Sequence, residues 1–152
     1  MLSWVKGKFI LGLMLWGLVA AAIAGAEDLT PVMLDLPGGR VTLAAEIADT
    51  RAERSRGLMF REDFGPGDAM LFVYDAPKKL IFWMKDTPRA LDIVYFDGEG
   101  RFINTHPHTE PFSLRSLPSL RAAQYALELS AGEAKTLGIG EGARLVLPLD
   151  LR

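Results

Sequence analysis

The 152-residue chain contains no cysteine. That absence excludes disulfides, a thiol nucleophile, thiolate zinc sites and cysteine-ligated iron–sulfur clusters. Histidine is scarce, at two residues. No His-Glu-x-x-His pair and no aspartate-rich calcium loop occurs, so zinc hydrolysis and EF-hand chemistry gain no support. Gly-x-Ser-x-Gly elbows, phosphate loops and dinucleotide fingerprints are absent as well. There is no excess of positive charge: 17 Lys and Arg face 19 Asp and Glu, for a net charge of −2. A mildly acidic domain lacks the basic footprint that broad nucleic-acid binding needs, so no nucleic-acid partner is expected.

Long apolar runs are also missing, with one exception. Residues 9–23 read FILGLMLWGLVAAAI, preceded by Lys6 and Lys8 and followed by Ala24-Gly25-Ala26 and the polar Glu27-Asp28. A basic start, an apolar stretch and a small-x-small site form the layout of a secretory signal peptide. The run is short for a spanning helix, although a retained anchor is the alternative. Residues 1–26 are therefore expected to be a signal peptide cleaved near Ala26. The product would be periplasmic or secreted, touching the membrane only transiently through its leader. Residues 27–40 then form an N-terminal segment with the first strand, and 41–152 a single domain. About 126 residues suit one core and are too few for two.

Along the mature chain, residues 31–36, the turn Pro37-Gly38-Gly39 and residues 40–48 read as a hairpin. Val41, Leu43, Ala45 and Ile47 share one face at the period of a half-buried strand. Thr50-Arg51-Ala52-Glu53 has capping-box spacing and opens a short helix that Gly57 ends. Strands are expected at 69–74, 80–85, 91–96, 101–105, 124–129 and 144–147. Asp97-Gly98-Glu99-Gly100 is a hairpin signal. Residues 106–120 hold three prolines and read as a long loop. Ser130-Ala131-Gly132-Glu133 is a second capping box, opening a helical turn that closes near Gly138. The fold class is α+β: a mainly antiparallel, curved or barrel-like sheet of about eight short strands with two short helices.

Four ordered blocks carry a resemblance. They are Arg56-Gly57-Leu58-Met59-Phe60-Arg61, Ala69-Met70-Leu71-Phe72-Val73-Tyr74, Phe82-Trp83-Met84-Lys85-Asp86-Thr87-Pro88 and Leu91-Asp92-Ile93-Val94-Tyr95-Phe96. With Tyr125-Ala126-Leu127-Glu128-Leu129 and Ala131-Gly132, the chain resembles the bacterial and archaeal family called domain of unknown function 192. Two positions depart from the family pattern. Ala69 stands where Gly is common, and Asp86-Thr87 where Asn-Thr is common. The resemblance implies a compact α+β domain and an often exported protein, and no reaction.

Candidate site residues come from polar side chains inside apolar blocks. A hairpin pairing Lys85 with Asp92 would bring Trp83, Lys85 and Asp92 to one face, with Thr87 in the turn. Arg56 and Arg61 flank a glycine turn and suit capture of a carboxylate or phosphate. Glu128 alternates with the apolar Tyr125, Leu127 and Leu129 and could face a pocket. The candidate ligand site is thus Arg61, Trp83, Lys85, Thr87, Asp92 and Glu128. The chain reads as an exported monomeric binding module, rather than an enzyme, for a small polar or anionic molecule or an envelope protein. No cofactor is called for. One alternative is a Cu(I) carrier using Met59, Met84, His106 and His108, because thioethers suit soft copper. Another is an enzyme with Asp92 or Glu128 as general base.

Overall fold

The structure, a computed structural model, describes residues 29–147. The expected leader and cleavage site lie outside these described residues. The elements are β1 (Thr30–Leu36), β2 (Gly39–Ala48), α1 (Arg51–Arg56), β3 (Ala69–Lys78), β4 (Ile81–Phe82), β5 (Leu91–Phe96), β6 (Phe102–His106), β7 (Leu117–Pro118), β8 (Ala123–Ser130), α2 (Glu133–Leu137) and β9 (Arg144–Val146). Seven strands form one sheet in the order β6-β5-β8-β3-β2-β1-β9, and β4 pairs with β7 in a second, two-stranded sheet.

Pairing in the large sheet is antiparallel except between β2 and β3. The parallel step is possible because α1 and the following loop carry the chain back between them. The sheet is curved, yet it does not close into a barrel. Its outermost strands approach only at an isolated bridge between Arg101 and Arg144. Gly100 makes that approach possible: it has φ +77°, and a Cβ there would fall 2.2 Å from the Leu145 carbonyl oxygen.

The curl divides the core in two. One cluster lies within it and includes Val32, Leu34, Leu71, Val94, Phe96, Leu127, Leu129 and Leu145. The other lies on the opposite face, where Phe72, Ile93 and Tyr95 pack against Leu80, Met84 and Leu117 from around the small sheet. β5 is buried at all six positions because it is central and covered on both faces.

The β1–β2 hairpin forms with Leu36 opposite Gly39. Because β1 also pairs with β9, residues 30–36 are an inner strand of the same sheet. The capping box at Thr50 is complete, with Gly57 as C-cap. Two expectations fail. The strand at 80–85 shrinks to two residues and pairs with β7, inside the stretch read as a long loop. β5 pairs with β6 and β8 instead, so the 80–85/91–96 hairpin does not form.

Candidate functional site

Cross-strand register builds one row of side chains across the sheet. Glu46 on β2 stands beside Met70 on β3, Met70 beside Glu128 on β8, Glu128 beside Ile93 on β5, and Ile93 beside His106 on β6. Direct partners point to the same face. Glu46 is on this face because it alternates with Ala45 and Ile47, which face the first cluster.

At the Glu46 end, α1 stops at Gly57, whose φ of 45° turns the chain back toward the sheet. A Cβ there would meet the Phe72 ring at 3.1 Å. The turn delivers Arg61 over Glu46. Its Nη1 and Nη2 each donate to one Glu46 carboxylate oxygen at 3.1 Å, while Nε donates to Asp63 at 2.8 Å. That hydrogen bond holds the Asp63 carboxyl below its usual range. The Arg61 and Glu46 side chains are 21% and 14% exposed, so their two-point contact is screened less than a surface pair. A cleft of about 340 Å³ opens beside it, lined by Glu46, Ile47, Glu53, Arg56, Gly57, Arg61 and Met70. Glu53 is occupied in accepting the Asp49 and Thr50 amides, which hold its carboxyl below the usual range, the Thr50 bond most. Arg56 is exposed and has no carboxylate partner among the described residues.

Further along the row, Glu128 is buried, and its Oε2 has no hydrogen-bond partner among the described residues. Burial pushes its carboxyl up to about 8. Burial thus favours its neutral, protonated form.

The six residues expected to form one site separate into five settings. Arg61 lines the cleft. Trp83 and Lys85 are on the surface, with Lys85 Nζ 5.5 Å from the Trp83 ring centre. Thr87 is buried in a turn, donating to the Lys85 carbonyl. Glu128 is in the second core face. Asp92 does not pair with Lys85. It is buried, and its Oδ1 accepts the His108 amide while Oδ2 accepts those of Gly132 and Ala134, all at 2.9–3.0 Å. It thus caps α2 and ties it to the 106–109 loop. The cap expected from Ser130 comes from a carboxylate 40 residues away, although Glu133 does accept the Ser130 amide. A carboxylate holding three backbone amides is committed to structure, which argues against a base role.

The copper set has separate duties. Met84 is in the second cluster, and His106 Nε2 lies 2.8 Å from the Pro118 carbonyl oxygen. Met59 is half-buried, and His108 is exposed beside Gly132. No group of three or more His, Asp or Glu able to hold a metal occurs among the described residues.

Sequence reasoning missed a further feature. Phe60, Asp86 and Phe112 have φ of 63°, 53° and 60°. Non-glycine residues rarely adopt this conformation, which concentrates at functional sites. The loops carrying them are joined: the Phe60 amide donates to the Asp86 carbonyl at 2.7 Å, and the Phe112 amide to that of Thr87 at 3.1 Å. Two of these residues present aromatic rings to solvent, Phe60 at 73% and Phe112 at 61% exposure.

The family model described as "Uncharacterized ACR", domain of unknown function 192, matches residues 33–147. The chain belongs to this family. Its matched span takes in the Arg61 cleft, Asp92, Glu128 and the strained loops. Two solved structures share the fold. A protein of unknown function from Novosphingobium aromaticivorans DSM 12444 is 32% identical, with TM-score 0.75, over 78% of this chain and 85% of that one. A proposed transcription regulator from Sinorhizobium meliloti 1021 is 31% identical, with TM-score 0.74, over 80% of this chain and 97% of that one. No curated protein matches.

Proposed function

We propose that this family member is an exported binding domain that takes a small polar molecule with an anionic group in the Arg56–Arg61 cleft. The observation that carries the reading is the charge arrangement there. Arg61 is neutralised by Glu46 and Asp63, and the Glu53 carboxylate holds backbone amides. Arg56 is left as a guanidinium with no carboxylate partner among the described residues. A ligand carboxylate or phosphate would supply one. Ala48 and Met70 offer an apolar wall for the rest of the molecule. The volume suits a small metabolite rather than a chain. The anionic ligand is thus assigned to Arg56 instead of Arg61. Export rests on the basic, apolar and small-residue layout of residues 1–26.

Native mass spectrometry of the protein purified gently from an envelope fraction tests both parts. The expected mass begins near Glu27 and carries a small adduct that Arg56→Ala removes. The reading fails if the mass is bare and a panel of small carboxylates and phosphomonoesters leaves the melting temperature unmoved. A co-purifying protein in place of the adduct would also overturn it.

A further inference from the structure

Among the described residues seven large apolar side chains are exposed, and six of them belong to one region: Phe60, Ile81, Trp83, Phe112, Leu114 and Leu120. Ile81 and Trp83 alternate with the inward-facing Leu80, Phe82 and Met84, so they stand on the outer side of the small sheet. Leu114 and Leu120 flank β7, its other strand. Phe60 and Phe112 come from the strained loops, and the Met84 amide donates to the Ser113 carbonyl at 2.9 Å, joining those loops to the end of β4. The left-handed backbone at Phe60 and Phe112 costs conformational energy and holds two phenyl rings in water. Packing within the domain supplies no reason for either.

Charge is also segregated here. Residues 60–63, 78–89 and 110–121 contain seven Lys or Arg and four Asp or Glu, in a chain whose net charge is −2. Lys85, Arg89 and Arg115 are exposed and have no carboxylate partner among the described residues. A face bearing Trp, Phe, Ile and Leu, with an excess of cations around it, complements a surface that is apolar inside and anionic outside. We propose that this face docks on an anionic phospholipid bilayer. The aromatic and aliphatic side chains would enter the headgroup boundary, and Lys85, Arg89 and Arg115 would meet lipid phosphates. Nucleic acid shares the negative charge but gives Ile81, Leu114 and Leu120 nothing to enter. The proposal is independent of the cleft and gives the domain a membrane contact that outlasts its leader.

The three tryptophans are Trp4, Trp16 and Trp83, so the chain from Glu27 onward has Trp83 alone, on the proposed face. Its fluorescence reports insertion directly. On adding vesicles of mixed phosphatidylglycerol and phosphatidylcholine, the emission should move to shorter wavelength and the protein should float with the lipid. Pure phosphatidylcholine should do neither. Replacing Lys85 and Arg115 by Ala should weaken binding about 30-fold, at the strength typical of juxtamembrane charges. The circular dichroism spectrum should stay unchanged, since neither side chain is in an ion pair. Leu114→Ser should weaken binding several-fold and serves if the double variant folds poorly. No emission shift with anionic vesicles overturns the proposal. So does equal binding to both lipids, a preference for duplex DNA, or an emission shift that follows protein concentration without lipid and marks self-association.

Discussion

Glu128 offers the sharpest test of the physical reading. It sits between Met70 and Ile93 in the sheet, and one of its carboxyl oxygens has no partner among the described residues. Burial raises it from an ordinary 4.5 to about 8. The folded state therefore holds the proton more tightly than the unfolded chain. Its stability is fully present below about pH 4.5, falls as pH rises, and levels off above about pH 8. Linkage sets the slope between those limits at about 1.4 kcal/mol per pH unit. From about pH 5.5 to 7.5 the loss should be roughly 2–3 kcal/mol, a large part of a small domain's stability. The other shifted groups act elsewhere. Asp35, Glu53, Asp63 and Asp97 lie below their ordinary values, and the Tyr74 and Tyr95 phenols above theirs. Glu128→Gln keeps the shape and removes the titration. Urea unfolding at several pH values should show the slope in the parent and a nearly flat line in the variant. Equal slopes would refute a buried, protonated Glu128.

Asp92→Ala should cost about 3–5 kcal/mol, because it strands three backbone amides, and hydrogen exchange should show α2 loosening first. Thr50→Ala removes half of a capping box and should cost about 1 kcal/mol, read as a lower urea midpoint with unchanged denaturant slope. Phe60→Gly relieves a left-handed phenylalanine and should raise stability by about 0.5–1 kcal/mol while weakening anionic vesicle binding. A stability loss at that position would mean the ring packs more than its exposure indicates.

Much of the fold was readable because its signals are local. Alternation at Val41, Leu43, Ala45 and Ile47, the Pro37-Gly38-Gly39 turn and the Thr50–Glu53 box each depend on neighbours a few residues away. The expected hairpin of 80–85 with 91–96 failed for the opposite reason. Pairing is a competition among strands, and β8 offers β5 six paired residues while β4 is left with two residues of β7. The candidate site was legible in part. Arg61 could be suspected from its type and its glycine, but Glu46 looked like an outward residue of a half-buried strand. Phe60 and Phe112 gave no signal, since a positive φ at phenylalanine has no mark in sequence.

The sequence alone determined the family, the α+β class, the lack of thiol chemistry and most turns and caps. Composition, motif order and short-range hydrogen bonding decide these. Tertiary structure alone decided what each polar residue does. The same residue type became a helix cap at Asp92, and related carboxylates became an ion-pair partner at Glu46 and a buried acid at Glu128. The difference lies in what the fold sets against each: three backbone amides, a guanidinium, or the apolar side chains of a buried sheet face. Those surroundings come from strands far apart in the chain.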